Sequence, residues 1–260
     1  MSRLDDESIN LIYLDPPFFT QKKHKLRTRD RKKEFSFEDI WQNQADYANF
    51  IHERIKEMKR VLRSDGSLFF HCDRNASHII RFILDNIFGV KNFRAEIVWQ
   101  YMRWSNLKRS LLPGHQTIYF YSKSKNYTFN TLYQSYSAST NVDQILQQRT
   151  KDKFGKSVYA LDENGKFISS GKKRGVPLSD VWDIPYLNPK AKESTGYPTQ
   201  KPIILLERII EIASNEGDLV LDPFCGSGTT LIAAKLLGRR GVGIDIKEEA
   251  IEISRNRLDN

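Results

Sequence analysis

The sequence predicts an α/β fold in which a doubly wound, mostly parallel sheet carries an inserted polar region. Three observations support this prediction. Short apolar runs that are typical of buried strands alternate with amphipathic helical segments. Two of these strands, near opposite ends of the chain, stop at an Asp-Pro pair, at Asp15 and at Asp222. The second pair is followed by a glycine-containing loop and a helix, an arrangement that binds ligands at strand ends.

The N-terminal part, residues 1–122, is predicted to contain four strands and two helices. The strands lie at 11–14, 67–72, 95–100 and 117–121, and the helices lie at 46–62 and 76–87. In the first helix one face is apolar, which is the pattern of an amphipathic helix. It comprises Phe50, Ile51, Ile55, Met58 and Leu62. The highly basic stretch 21–33 precedes this helix and is predicted to be a mobile loop.

The composition changes after Ser122, and residues 123–192 are rich in Ser, Asn, Gln, Lys and Tyr. Because this region lacks the long apolar runs of the rest, it is predicted to be an insertion on the main sheet. A hairpin is expected where 158–161 and 166–169 flank Asp-Glu-Asn-Gly.

The C-terminal part, residues 193–260, contains the glycine loop. Its predicted elements are a helix at 203–214, the strand, loop and helix of 219–237, a strand at 241–246 and a helix at 247–258. Gly226 and Gly228 have no Cβ, so the loop can adopt positive φ and leave room for a ligand. Asp245 ends the next strand, near the distance at which nucleotide-binding folds place a ribose-binding carboxylate.

The chain is basic, with a net charge of +9 and a pI of about 9.4. This charge favours a polyanionic partner, usually nucleic acid, although an ordinary basic protein remains the alternative. The two cysteines, Cys72 and Cys225, are far apart and lack metal-ligand spacing, so a metal site and a disulfide framework are not expected. A reducing cytosol is the default compartment. No run is as long as a membrane span, and the N-terminus lacks a signal-peptide pattern.

The first Asp-Pro strand end continues as Asp15-Pro16-Pro17-Phe18. A carboxylate accepts hydrogen bonds from an amine, a rigid proline turn aims a backbone carbonyl, and an aromatic ring stacks on a planar base. Together these groups suit a base with an exocyclic amine that has been extruded from a duplex. Taken alone, the motif is more simply a turn that ends a strand. Its pairing with the glycine loop and the basic charge favours the functional interpretation.

Three motifs resemble those of the S-adenosylmethionine-dependent DNA amino-methyltransferases. Residues 15–18, Asp-Pro-Pro-Phe, are similar to the catalytic motif, in which Tyr is commoner than Phe. Residues 222–230, Asp-Pro-Phe-Cys-Gly-Ser-Gly-Thr-Thr, are similar to the cofactor loop, and residues 195–202, Thr-Gly-Tyr-Pro-Thr-Gln-Lys-Pro, to the segment before it. The motif order is that of the permuted β group. The resemblance covers most of the chain apart from about 122–192, and it implies a Rossmann-like methyltransferase fold.

The resemblance also implies roles for individual residues. The turn Asp15-Pro16-Pro17 would hold the target amine, because Asp15 and the Pro16 carbonyl would accept its two N–H groups. Phe18 would stack on the base. Asp245 would bind the ribose hydroxyls, and Thr199 and Lys201 would contact the methionine end of the cofactor. The remaining implied cofactor residues are Asp222, which would support the loop, and Pro223, Phe224, Gly226, Gly228 and Thr229. No metal is implied.

The implied activity is methyl transfer from S-adenosylmethionine to N6 of a flipped adenine in double-stranded DNA. Asp at the first motif position favours adenine, whereas Ser would favour cytosine N4, which stays the nearest alternative. Residues 123–192 would recognise the target sequence. A restriction-modification or epigenetic system, a cognate restriction endonuclease and a homodimer are further expectations. An RNA methyltransferase and a non-catalytic DNA-binding protein that retains the fold are the remaining alternatives.

One departure from the family concerns the N-terminus. A further strand and an acidic turn usually precede the catalytic strand in that family, whereas here only residues 1–10 precede Leu11. This departure predicts a shortened form in which contacts to the adenine side of the cofactor are incomplete. Asp5 and Asp6 are not expected to replace them.

Overall fold

The computed structural model describes residues 3–27, 34–102, 106, 108–136, 145–169, 175–197 and 199–259. The chain forms two compact units. The first comprises Met1–Asn130 and Asp180–Asn260, and the second comprises Thr131–Ser179. The second unit lies inside the range 123–192 that the sequence suggested for an insertion, and residues 123–130 and 180–192 belong to the first unit. Its role in target recognition stays a prediction.

The first unit is built on a seven-stranded sheet. Its strands are β1 (Ile9–Leu14), β4 (Leu62–Cys72), β5 (Phe93–Gln100), β6 (His115–Ser122), β11 (Val181–Asp183), β12 (Leu219–Asp222) and β13 (Arg240–Gly243). The spatial order is β11-β5-β6-β4-β1-β12-β13. β6 runs antiparallel to both of its neighbours, and the other pairs are parallel. The predicted mostly parallel sheet is therefore confirmed.

Five described α-helices accompany the sheet. They are α1 (Gln44–Val61), α2 (Ser77–Phe88), α3 (Ile203–Ala213), α4 (Thr229–Leu236) and α5 (Glu248–Asp259). The start of α1 is fixed by Asn43, whose side chain accepts a hydrogen bond from the Asp46 amide at 3.0 Å. α2 ends at Gly89, which has a φ of 90°. No described helix is long and apolar enough to cross a membrane.

Both faces of the central strands are buried. On β1, Ile12 and Leu14 belong to the main apolar cluster with residues of α1 and α2, whereas Leu11 and Tyr13 are buried outside that cluster. Successive side chains of a strand point to opposite faces, so this alternation places β1 between two packed layers. Burial on both faces explains why the strand sequence is apolar without a polar alternation.

The basic stretch 21–33 is not a loop where the structure describes it. β2 (Lys22–Arg27) pairs antiparallel with β3 (Glu34–Asp39), in a register that places Lys22 opposite Asp39. The loop prediction is therefore wrong for 22–27, and 28–33 lie outside the described residues. The strand reads Lys-Lys-His-Lys-Leu-Arg and has one apolar residue, so it lacks the apolar signal of a strand. Its formation depends on pairing with β3, which the local sequence does not report.

The second unit contains short antiparallel pairs. β7 (Tyr133–Gln134) pairs with β10 (Val176–Pro177), and β8 (Arg149–Lys151) pairs with β9 (Ser157–Tyr159). Two turns in this unit have the same geometry, because Asp152 and Asp162 each accept two backbone amides through Oδ1 at 2.8–2.9 Å. The sequence predicted the second turn and missed the first.

The two Asp-Pro strand ends meet at one edge of the sheet. β1 and β12 are parallel neighbours, with Leu11 opposite Val220 and Ile12 opposite Leu221. This register places Asp15 and Asp222 at the carboxyl ends of adjacent strands. In an open α/β sheet, a crevice that suits ligands forms at the carboxyl ends of neighbouring strands where the strand order reverses.

Candidate active site

A cavity of about 180 Å³ lies at this edge of the sheet. It is lined by residues that the sequence singled out: Asp15, Pro16, Pro17, Phe18, Thr199, Lys201, Asp222, Phe224, Gly226, Thr229 and Asp245. The structure thus brings the catalytic motif and the cofactor loop to one cavity. Pro223 and Gly228 are not among the lining residues. Sequence reasoning did not select Tyr13, Asp39, Tyr197, Ile246 and Lys247, which also line it.

Asp15 is held in one orientation by a buried lysine. Its Oδ2 accepts a hydrogen bond from Lys201 Nζ, and both side chains are largely buried. Its Oδ1 is buried and has no hydrogen-bond partner within the described structure. Burial raises the pKa of Asp15, and the charge of Lys201 opposes that rise. This cavity-lining residue therefore keeps one carboxylate oxygen, Oδ1, without a donor among the described residues.

His71 lies behind Asp15 in a chain of hydrogen bonds. Its Nε2 is 2.7 Å from the acceptor Gln116 Oε1, and its Nδ1 accepts from the Tyr13 hydroxyl at 2.7 Å. Burial lowers the pKa of His71, and the nearby charge of Lys201 lowers it further, so the ring is neutral. Its Nδ1 is 3.8 Å from Asp15 Oδ1 and does not satisfy that oxygen. No motif in the sequence marked His71.

Phe18 packs against this buried layer. The centroid of its ring is 5.6 Å from that of His71, and Lys201 Nζ lies 5.2 Å from the Phe18 ring centroid. The preceding carbonyl is also fixed, because the Tyr47 hydroxyl donates to Pro17 O at 3.0 Å. The proline turn and its aromatic residue therefore have support from two elements, α1 and β4.

The loop after Phe18 is held by the carboxylate of Asp39, the last residue of β3. Oδ2 accepts the amides of Phe18 at 3.1 Å and Thr20 at 2.7 Å, and also the Thr20 hydroxyl at 2.6 Å. Oδ1 accepts the Phe19 amide at 3.0 Å and Trp41 Nε1 at 2.9 Å. No motif in the sequence marked Asp39, because its partners are 2 to 21 residues away in an irregular loop.

Two acids shape the cofactor loop. Asp222 accepts the Phe224 amide at 3.0 Å and the Thr230 hydroxyl at 2.5 Å. Burial raises the pKa of Asp222 to about 7, against the effect of these hydrogen bonds. Asp245 accepts the amides of Gly226 and Lys247, each at 2.9 Å. Each carboxylate oxygen can accept more than one hydrogen bond, so Asp245 keeps acceptor capacity.

The two loop glycines are required by neighbouring protein groups. A Cβ on Gly226 would lie 2.9 Å from the Tyr197 ring, and a Cβ on Gly228 would lie 2.6 Å from Ser254 Oγ. Both residues have positive φ, as predicted. The expectation that both leave room for a ligand is modified for Gly228, because α5 occupies that space through Ser254.

The segment 195–202 completes the cavity wall. Gln200 Oε1 accepts the Thr195 amide at 2.9 Å and its hydroxyl at 2.7 Å, which orders the turn. Thr199 has a φ of 64°, a conformation that is rare for a β-branched residue. Lys201 contacts Asp15 in this structure, while its predicted contact with the methionine end stays a prediction. Pro198 lies outside the described residues.

The sheet, the glycine loop and the cavity between two strand ends define an α/β enzyme of the Rossmann-like methyltransferase fold. The family model described as DNA methylase matches residues 9–256. The chain therefore belongs to the DNA methylase family, which confirms the resemblance seen in its motifs.

Individual relatives cover the whole chain. It is 33% identical to the type II methyltransferase M.HpaI of Haemophilus parainfluenzae, over 100% of this chain and 71% of the relative. It is 32% identical to the DNA adenine methyltransferase YhdJ of Escherichia coli K12, over 100% of this chain and 79% of the relative.

Solved structures share the fold at low identity. The cytosine-N4-specific PvuII DNA methyltransferase has a TM-score of 0.65 at 16% identity, over 99% of this chain and 82% of that structure. The M1.HpyAVI–SAM complex has a TM-score of 0.59 at 20% identity, over 100% of this chain and 91% of that structure.

Proposed function

We propose that this protein transfers a methyl group from S-adenosylmethionine to N6 of an adenine flipped out of double-stranded DNA. The observation that carries the proposal is Asp15, which lines the cavity together with Phe18 and the glycine loop and whose buried Oδ1 has no hydrogen-bond donor among the described residues. A buried acceptor without a partner is costly unless a ligand donor satisfies it. An exocyclic amine is such a donor.

The residues of the cofactor side fit S-adenosylmethionine. Asp245 has acceptor capacity for ribose hydroxyls, and the adjacent Ile246 lines the cavity with a side chain that is 99% exposed. An exposed apolar side chain at a cavity suits the face of a purine ring. Ile246 would therefore supply an apolar contact to the cofactor's adenine. Phe224, Gly226 and Thr229 would line the pocket around the rest of the molecule.

The chain's own contribution is to position the amine. Asp15 Oδ1 accepts one N–H and the Pro16 carbonyl accepts the other, which favours a geometry with the nitrogen lone pair free to attack. Phe18 stacks on the base. When bound, S-adenosylmethionine supplies an electrophilic methyl group: the N–C bond forms as the S–C bond breaks, and the nitrogen loses one proton to water. Alignment and electrostatics supply the rate enhancement without a covalent enzyme intermediate.

The DNA assignment is supported by charge. The net charge of +9 and the basic strand β2 offer phosphate contacts, and Lys22 and Lys23 on that strand are exposed. Strand β3, its partner, ends at Asp39 in the cavity wall. A phosphate contact on this hairpin would thus be made by the element that borders the active site.

The test is methyl transfer from tritiated S-adenosylmethionine to duplex DNA, followed by separation of the modified bases. Label in N6-methyladenine is expected, and label in cytosine alone would refute the adenine assignment. Asp15→Asn keeps the shape of the side chain but weakens its acceptor, so its turnover is expected to fall by about 100-fold or more with cofactor binding retained. Asp65→Asn, an exposed acid on β4, is the matched control and should keep the parent rate.

We also propose that the protein acts within a restriction-modification or epigenetic system, with a cognate restriction endonuclease. We further propose that it forms a homodimer. Sedimentation of the purified protein tests the dimer, and a monomer at micromolar concentration would refute it. The free, buried thiols of Cys72 and Cys225 support a reducing cytosol as the compartment.

A further inference from the structure

The carboxylate of Asp39 is saturated with hydrogen bonds although it borders the cavity. Five donors converge on its two oxygens: three consecutive backbone amides, one hydroxyl and one indole N–H. A carboxylate has about four lone-pair sites, so this group has no capacity left for a substrate. The Asp39 side chain is 1% exposed. Its function must therefore be exerted through the residues that it holds.

The backbone that binds this carboxylate has the geometry of an anion-binding nest. The amides of Phe18, Phe19 and Thr20 all point at Asp39, and Phe19 has a φ of 62°. Successive amides around a left-handed residue form such a concavity for an anion. A side chain with a Cβ disfavours this conformation, so the loop needs the anion to keep it.

We propose that Asp39 is a positioning residue, an internal anion that sets the nest and thereby fixes Phe18 in stacking position against the flipped base. The inference rests on the proposed function. Phe18 supplies both the first amide of the nest and the ring that lines the cavity, so the carboxylate binds the backbone of the stacking residue itself. Asp39 acts through Phe18 and not on the reacting atoms.

The same residue connects the basic hairpin to the site. Asp39 ends β3 and lies opposite Lys22 in the register of β2 and β3. Gln21 exchanges two hydrogen bonds with the Trp41 backbone, at 2.8 and 2.9 Å. On the cofactor side, Lys247 Nζ donates to Ser36 O of β3. The base of the hairpin is thus bonded to both halves of the cavity. Asp39 therefore links the position of Phe18 to the hairpin that would contact DNA.

The decisive variant is Asp39→Asn. The side-chain amide of Asn keeps one acceptor oxygen, but its NH2 group would face the N–H donors that the second carboxylate oxygen binds. The nest is therefore disrupted with little change in side-chain volume. We expect kcat to fall by about 100-fold, as for a misplaced reacting group, while the Kd for S-adenosylmethionine changes less than about twofold. A smaller rise in fluorescence of DNA carrying 2-aminopurine at the target position would report that fewer target bases are held in the flipped position. Glu53→Gln, an exposed acid on α1 away from the hairpin, should keep kcat.

Chemical rescue separates positioning from general folding. Asp39→Gly empties the nest, and formate is small enough to replace the carboxylate. Formate is expected to raise both the thermal midpoint and kcat of Asp39→Gly, with no such effect on the parent or on Asp39→Asn. Unchanged kcat and 2-aminopurine signal in Asp39→Asn would overturn the inference, as would an Asp39→Gly variant that folds and is insensitive to formate. If Asp39→Gly does not fold, the Asp39→Asn measurements decide.

The outcomes also distinguish this inference from the proposed function. If the parent labels no DNA base, the proposed function fails, and the formate-dependent thermal midpoint still tests whether the nest needs an anion. If the parent labels adenine and Asp39→Asn labels it at the same rate, the proposed function stands and the positioning role is refuted.

Discussion

At the scale of single residues, the carboxylate of Asp15 depends on a counterion that is distant in sequence. Asp15 and Lys201 are 186 residues apart, yet they form a buried ion pair through Oδ2, and Oδ1 has no donor among the described residues. Removal of one partner from a buried pair leaves an uncompensated charge, so the two residues must be considered together. Substitution of Asp15 by alanine would confound chemistry with folding for this reason.

The first prediction concerns Lys201→Met. Burial raises the pKa of Asp15 and Lys201 lowers it, so loss of Lys201 raises the pKa further. Because the ionised carboxylate accepts the amine hydrogen, the acid limb of the kcat profile is expected to move to higher pH, with a larger loss at pH 6 than at pH 8.5. Rate measurements across this range, with the exposed Lys125→Met as control, test it. A raised Kd for S-adenosylmethionine with an unmoved acid limb would instead favour the methionine contact.

The second prediction concerns Asp222 and stability. Its pKa is raised from 3.8 to about 7, so between these values the folded state binds more protons than the unfolded state. The free energy of unfolding should therefore fall as pH rises through this window and level off above it, by about 4 kcal/mol at most. In Asp222→Asn this contribution disappears. Urea unfolding from pH 4.5 to 8 measures it, and equal slopes in parent and variant would contradict the raised pKa.

At the scale of elements, α5 acts as a clamp on the cofactor loop. The Ser254 hydroxyl donates to Gly226 O at 2.9 Å, and Arg257 donates to Ser227 O at 2.6 Å. The glycine at 228 lets Ser254 approach the loop closely. The loop is thus stabilised by the last helix that the structure describes, through two residues that do not line the cavity.

A pair of glycine substitutions tests this clamp. Gly217 and Gly228 both have positive φ, at 84° and 76°, but a Cβ on Gly217 meets nothing within 4 Å. Gly217→Ala should cost about 1–2 kcal/mol of backbone strain. Gly228→Ala should cost that plus about 1–3 kcal/mol of overpacking against Ser254, and weaken binding of S-adenosylmethionine. Denaturant unfolding gives the difference, and equal costs for the two variants would show that contact with α5 does not matter.

At the scale of the whole molecule, we predict different functions for the two compact units: methyl transfer for the first and sequence recognition for the second. The described part of the first unit holds every residue that lines the cavity. The second unit carries exposed basic and aromatic residues on its turns, among them Phe154, which is 83% exposed beside Lys153. Such residues suit contacts with DNA.

An exchange of units tests this division. Replacement of 131–179 by the corresponding region of a relative with another recognition sequence should change the methylated sequence and leave the methylated base as adenine. Modification-sensitive sequencing of DNA exposed to the chimaera reports base and context together. A chimaera with the parent's recognition sequence would remove the recognition role from this unit, whereas a changed base would place base choice there.

Much of the first unit could be predicted because its signals are local. The apolar strands, the amphipathic helices and the glycine loop are written in periodicities and turn residues over short windows. β2 escaped prediction because its sequence is basic and its partner strand supplies the reason for its structure. Ile246 and Tyr197 were also missed, since exposure at a cavity and contact with a glycine are properties of packing.

The sequence by itself determined the fold class, the two Asp-Pro strand ends and the family motifs in their order. Tertiary structure alone decided that Lys201 pairs with Asp15, that buried His71 packs against Phe18, and that Asp39 fills the nest after the Asp-Pro-Pro-Phe turn. The physical reason is the distance along the chain between the residues that determine each property. Secondary structure follows from neighbours along the chain, whereas a buried acid's charge state and a loop's anion are set by groups that only folding brings together.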